Sequence, residues 1–154
     1  MILSPAQQRQ YPNLTRYLQN DIQNVGNVRR VQRAAAEYGQ LNTARLQQAL
    51  TWGRMPLITI APLDHHGGFT AGSFDAERNP NEIRINTSLA EAFERRQPES
   101  MLWIRDLQGR RHYRIKVSIL HEMIHWGDAI DGNDYDSEEG VWFEIAVYGY
   151  DTPG

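Results

Sequence analysis

The chain has 154 residues, 40% of them apolar and 23% charged, with Trp 4, Tyr 7 and Phe 4 to fill an interior; this is the size and composition of one soluble globular domain and excludes disorder throughout. Lys and Arg number 16 against 19 Asp and Glu, a net charge of -3, too balanced for a dedicated nucleic-acid binder. With Cys 0 there are no disulfides, thiol nucleophiles or thiolate metal sites, so any metal is held by His and carboxylates.

The first third is expected to be helical. After Pro12, Leu14, Tyr17, Leu18 and Ile22 make one apolar stripe at helical spacing. Val28, Val31, Ala35 and Tyr38 make a second, with Gly39 as its C-terminal stop. Thr43 caps a third that carries Leu46 and Leu50 and ends at Gly53. These helices read as packing elements. From Met55 the texture changes. Pro56 precedes the β-rich run Leu57–Ala61, and two more short strands are predicted over residues 69–74 and Glu82–Asn86, with Asn79, Pro80 and Asn81 as turn chemistry between them. Ser88 and Glu91 make a capping box for a helix that runs to Arg95. Residues 102–114 are ambiguous, because Gly109 either closes a hairpin or precedes the next helix. No internal repeat, low-complexity tract or linker interrupts the chain, which predicts a single α+β domain over residues 1–154. No apolar run is long enough to span a bilayer, and the start MILSPAQQRQYPN lacks the pattern of a signal peptide.

Residues 113–129 contain no proline and form the chemical centre of the sequence. On a helix, His121, Glu122, His125 and Asp128 share one sector, while Ile115, Ile119, Leu120, Met123 and Ile124 cover the rest. A helix apolar over most of its circumference is buried, and burying two His and a Glu without partners is costly. Metal binding resolves the conflict. His121-Glu122-Met123-Ile124-His125 is the pattern H-E-x-x-H, in which two imidazoles one turn apart converge on zinc and the carboxylate between them is aimed at water beside it. The competing reading is a pair of core histidines bonded to backbone and carboxylates.

A catalytic zinc usually has three protein ligands and one open position. Glu144 is the expected third ligand, set in an apolar run over residues 141–148 that looks like a second buried helix. Asp131 is its rival, at the offset of the third ligand in the longer metzincin motif, although Asp128 stands where that motif wants Gly. Asp128 itself is expected to orient an imidazole from outside the ligand set. Asp134, Asp136, Glu138 and Glu139 read as solvated loop. Tyr148 lies one turn beyond Glu144, where its phenol either stabilises an oxyanion or packs as a core aromatic. His65 and His66 read as surface residues of a turn, and His112 and Tyr113 as weaker candidates near the start of the motif helix.

The motif with Glu144 downstream is similar to the gluzincin arrangement of zinc metallopeptidases. Over residues 120–149, His-Glu-Met-Ile-His-Trp-Gly-Asp, the acidic stretch with Glu139-Gly140, and Phe143-Glu144 through Tyr148-Gly149 resemble the metallopeptidase toxin domains at the C-termini of bacterial polymorphic toxins and type VI secretion effectors. A departure is that Phe143 precedes Glu144 where the commonest gluzincins have Asn. The resemblance implies a zincin-like α+β fold. Its helical N-terminal part would precede a small antiparallel sheet over the motif helix, and a C-terminal helix would carry the third ligand. Residues 69–74 or Glu82–Asn86 would supply an edge strand that binds extended peptide. The resemblance further implies zinc-dependent endopeptidase action on a protein or peptide substrate, with Glu122 as base, Tyr148 as a further catalytic group and His121, His125 and Glu144 on the metal. It also implies a toxin that stays in the cytoplasm until it is secreted or injected without a classical signal peptide, with a carrier and a cognate immunity protein as partners, and neither nucleic-acid binding nor membrane insertion. The alternative from another class is a noncatalytic zinc-stabilised binding or scaffold domain, against which Glu122 speaks. Hydrolysis of a nonpeptide bond by the same centre is compatible with the motif.

Overall fold

The computed structural model describes residues 1–65, 67–131 and 138–149, with Asp131 described in its backbone only. The N-terminal third is helical, as its periodicity predicts. Helix α1 (Pro5–Gln10) is capped by Ser4, and α2 (Pro12–Asn20) buries Leu14 and Leu18. After a 3-10 turn at Ile22–Asn27 comes α3 (Arg29–Gly39), which buries Val31, Ala34 and Ala35. Helix α4 (Thr43–Leu50) follows, capped by Asn42, whose side chain accepts from the Arg45 amide, and not by Thr43.

Gly39 does not serve as the stop the sequence suggests. It is the last residue of α3, and Gln40 takes the left-handed conformation at φ 51°. A Cβ on Gly39 would stand 3.1 Å from the Ile124 Cα, and one on Gly127 would meet the Gly39 carbonyl oxygen and the Leu41 side chain. The glycines therefore let two helix backbones touch.

Strands β1 (Leu57–Ala61), β2 (Gly72–Phe74) and β3 (Glu82–Asn86) form a sheet in the order β1-β3-β2. The expected all-antiparallel sheet is corrected to a mixed one: β2 pairs antiparallel with β3, but β1 pairs parallel, Ile58 beside Ile83 and Ile60 beside Ile85. The long connection between β1 and β3 contains β2, and a connection of that length lets the chain return in the same direction. Because β3 is central, Glu82–Asn86 cannot be the edge; β1 and β2 are the outer strands, and β1 is bridged on its far side by Ile2. Only the last three residues of the predicted 69–74 strand pair in this sheet.

Helix α5 (Thr87–Arg95) is capped by Asn86, which accepts from the Ser88 amide, so Ser88 is not the cap. After α6 (Glu99–Leu102), β4 (Trp103–Arg105) and β5 (Arg111–Tyr113) settle the ambiguous region as a hairpin, with Gly109 at φ 78° in its turn. Helix α7 (Arg114–Asp128) buries ten of its residues, packing against α3, α8 (Glu139–Tyr148), β2 and β3. This central placement is the reason its apolar residues run almost all the way round.

Candidate metal centre

His121 and His125 stand one turn apart on α7, and their Nε2 atoms face each other at 3.3 Å. Two nitrogen ligands 2.0–2.1 Å from a tetrahedral metal are themselves about 3.3 Å apart. The Nδ1 atoms point the other way, each to a carboxylate from α8. His121 Nδ1 donates to Glu144 Oε1 at 2.7 Å, and His125 Nδ1 lies 3.5 Å from Glu139 Oε2. A carboxylate at the far nitrogen is the usual support of a metal-binding histidine, since it fixes the tautomer and raises the basicity of the ligating nitrogen.

Glu138, the residue before α8, is exposed, and one of its oxygens lies with a nitrogen of His121 and one of His125 in a group whose ligand atoms are all within 4.8 Å of one another. Glu144 therefore meets His121 on the Nδ1 side, while Glu138 joins the group of potential ligand atoms. Gly140 closes this arrangement: a Cβ there would run into Nε2, Cδ2 and Cε1 of His121. The first turn of α8 lies against the imidazole only because residue 140 has no side chain.

Glu122 points to the other neighbour of the site. Its carboxyl group is buried against β2, where a Cβ on Gly72 would come within 2.7 Å of Glu122 Cγ and Oε1. Burial pushes its pKa up to about 7, His121 opposes the rise, and the charges of Glu144 and Glu138 add to it. His121 is shifted up as well: burial pulls its pKa down, but the Glu144 hydrogen bond and the nearby carboxylates outweigh burial. Glu122, Glu138, Glu139 and Glu144 thus gather round two imidazoles, and a divalent cation would neutralise part of that charge. The donor set, the paired Nε2 atoms and the room left by Gly140 fit a metal of the zinc type.

The other sequence candidates make contacts of their own. Asp128 is buried and accepts a 2.9 Å bond from Gln40 Nε2. Tyr148 packs its ring 4.9 Å from that of His112, beside Lys116. Tyr113 stacks on Trp103 at 4.2 Å, and His65 is exposed at a bridge to Gly68. His66, Asp134, Asp136 and the Asp131 side chain lie outside the described residues. Sequence reasoning missed Glu138 and Glu139, which it left in the solvated acidic stretch. The available signal was their position beside Gly140, at the start of the run that carries Glu144.

The chain matches the metallopeptidase toxin 3 family (Tox-MPTase3) over residues 7–149. It belongs to that family. The match makes this a metallopeptidase toxin domain, whose activity is peptide hydrolysis and whose substrate is protein. It reaches well beyond the stretch around the motif and takes in the helical N-terminal third and the sheet. No curated protein and no solved structure matches the chain. Among the described residues of this metallopeptidase toxin, no helix is long and apolar enough to cross a membrane.

Proposed function

We propose that the domain is a zinc-dependent endopeptidase in which His121 and His125 hold the metal through Nε2, Glu138 is the third protein ligand and Glu122 is the general base. The observation that carries this reading is the pair of Nε2 atoms at 3.3 Å with a buried carboxylate at each Nδ1. Glu144, the third ligand expected from sequence, is reassigned to holding the His121 ring. Its oxygen is already engaged at 2.7 Å on the side of the imidazole away from His125.

When bound, the metal supplies Lewis acidity that polarises the scissile carbonyl and acidifies water. Glu122 accepts the proton of the attacking water and passes it to the nitrogen of the leaving amine, a task suited to a buried carboxyl set between the two histidines. Glu144 and Glu139 keep the two imidazoles in the tautomer that leaves Nε2 unprotonated. Strand β2, an outer strand of the described sheet whose counterpart β1 is bridged by Ile2, and packed on Glu122 through Gly72, is the edge along which an extended peptide would lie. Tyr148 is given no step, since its ring sits with His112 and Lys116.

The toxin family supports a biological reading as well: delivery into a bacterial target cell by a carrier of the polymorphic-toxin or type VI kind, with a separate immunity protein as restraint. A scaffold domain with a structural zinc would have no use for a buried base beside the metal group.

The deciding experiment adds purified protein to a bacterial lysate and reads new peptide termini by mass spectrometry, with metal analysis of the same sample. New termini that appear with wild type and stoichiometric zinc, and vanish with a chelator and with Glu122→Gln at unchanged metal content, are expected. Equal termini from wild type and Glu122→Gln would remove Glu122 from the mechanism, and a metal-replete protein that generates none would favour the scaffold. Growth arrest by wild type but not Glu122→Gln, expressed in the cytoplasm or exported, tests the bacterial target.

A further inference from the structure

At the opposite end of α7 from the metal group, a cavity of about 500 Å³ opens between α3, α8 and the β4–β5 hairpin. One wall is apolar and comes from Val25, Val28, Val31 and Val147. Val28 is 48% exposed, one of few large apolar side chains left open to solvent among the described residues. The other side carries the Lys116 ammonium and the Arg30 guanidinium, both lining the cavity.

The ammonium is held by a relay. Asp106, with its side chain fully covered, accepts from His112 Nε2 at 3.0 Å and from Arg110 Nε at 2.7 Å. Lys116 Nζ lies 3.1 Å from His112 Nδ1, and because an ammonium only donates, that nitrogen must be the unprotonated one. His112 is therefore neutral and spends both nitrogens, one on Asp106 and one on Lys116. The Tyr148 ring face lies 5.8 Å from Nζ. Among the described residues no carboxylate pairs with Lys116 or Arg30, since Asp106 is engaged by Arg110 and His112. A partly buried ammonium aimed by three residues and supplied with only a neutral acceptor is a charge in want of a counter-ion.

We propose that this cavity binds a small organic anion, with a carboxylate or phosphate head group on Lys116 and Arg30 and an aliphatic or aromatic body against the valine wall. The volume lies in the range of small-molecule sites, which combine mostly apolar walls with a few placed polar groups. The head group supplies the counter-charge that Asp106 cannot, and the body covers Val28. Burial pulls the Lys116 pKa down while the Asp106 charge opposes it, as expected for an ammonium short of compensation. Nothing in the proposed peptidase chemistry uses these residues, so the two readings stand or fall separately.

The test titrates the full chain, followed by NMR of the His112 ring and the valine methyls, with four probes: hexanoate, hexyl phosphate, 1-hexanol and inorganic phosphate. Saturable shifts with hexanoate, hexyl phosphate or both are expected, and which of the two binds tighter identifies the head group. Hexanol and inorganic phosphate should bind at least about tenfold more weakly, as loss of a charge-assisted hydrogen bond or of the apolar contact requires. Lys116→Met should weaken the amphiphilic probes by a similar factor, and Lys116→Arg should restore them. Hexanol binding as tightly as hexanoate, undiminished binding in a folded Lys116→Met, or no saturable shift with either amphiphile overturns the proposal. Should Lys116→Met fail to fold, the four probes on wild type decide.

Discussion

A histidine-centred cluster lies at each end of α7, His112 on β5 just before it and His121 with His125 within it, and the two differ in how the ring nitrogens are used. Near the C-terminal end, Glu144 and Glu139 stand at Nδ1 of His121 and His125, leaving both Nε2 atoms facing each other. At the N-terminal end, Asp106 takes Nε2 of His112 and Lys116 takes Nδ1, so no ring nitrogen is left over. Both clusters are buried enough for desolvation to lower a histidine pKa, yet His121 is shifted up and His112 down. The sign follows the neighbours: carboxylates prevail round His121, while at His112 Lys116 and Arg110 add to burial against the pull of Asp106. A histidine beside a carboxylate can thus hold a metal only where the second nitrogen is spared.

The contrast is broken most severely at the metal end. Glu138→Ala should reduce zinc content and peptidase activity to background, whereas Glu144→Gln should weaken zinc by about 10–100-fold, the usual cost of losing an orienting partner. The reverse ranking, measured by competition with a chromophoric chelator, would restore Glu144 as the third ligand. Gly140→Ala should come next, with zinc affinity down about tenfold or more, because the added methyl needs the space of the His121 ring; wild-type affinity would mean that α8 shifts freely.

The N-terminal cluster responds in stability. Burial would raise the Asp106 pKa, but the bonds from His112 and Arg110 outweigh it and hold the carboxyl well below the ordinary carboxylate range. A folded-state pKa below the unfolded one contributes stability above about pH 4, lost as pH falls through the folded value. Asp106→Asn should therefore lower Tm by about 5 °C at pH 7 and by progressively less towards pH 2. A difference independent of pH would show that the charge contributes nothing. The smallest effect is expected for Tyr148→Phe, with kcat within about threefold of wild type; a fall of about 10²-fold would make it an oxyanion donor after all.

Periodicity made much of this legible. The bodies of α2 to α5, the strands Leu57–Ala61 and Glu82–Asn86, and the motif helix follow from apolar spacing, which depends only on local geometry. Caps shifted by a residue or two, because Asn42 and Asn86 compete equally with neighbouring Thr43 and Ser88. Strand direction was illegible, since alternation is the same for parallel and antiparallel partners. His121, Glu122 and His125 declare themselves because one turn of helix fixes their relation. The proposed third ligand does not, because an acidic stretch offers many carboxylates and only tertiary packing turns Glu139 inward while leaving Glu138 exposed beside the imidazoles.

The contact of Gly39 with Ile124 and Gly127 has a consequence for how this domain tolerates mutation. Where two backbones touch, no side chain lies between them that can choose another rotamer, so any larger residue must separate the axes of α3 and α7. His125 sits between Ile124 and Gly127 in sequence, and such a separation displaces it. A saturation-mutagenesis map of toxicity should therefore show, at the turn that carries His125, two intolerant positions that carry no chemistry at all, and shortening Leu41 should not rescue Gly127→Ala, because the Gly39 carbonyl oxygen stays in the way.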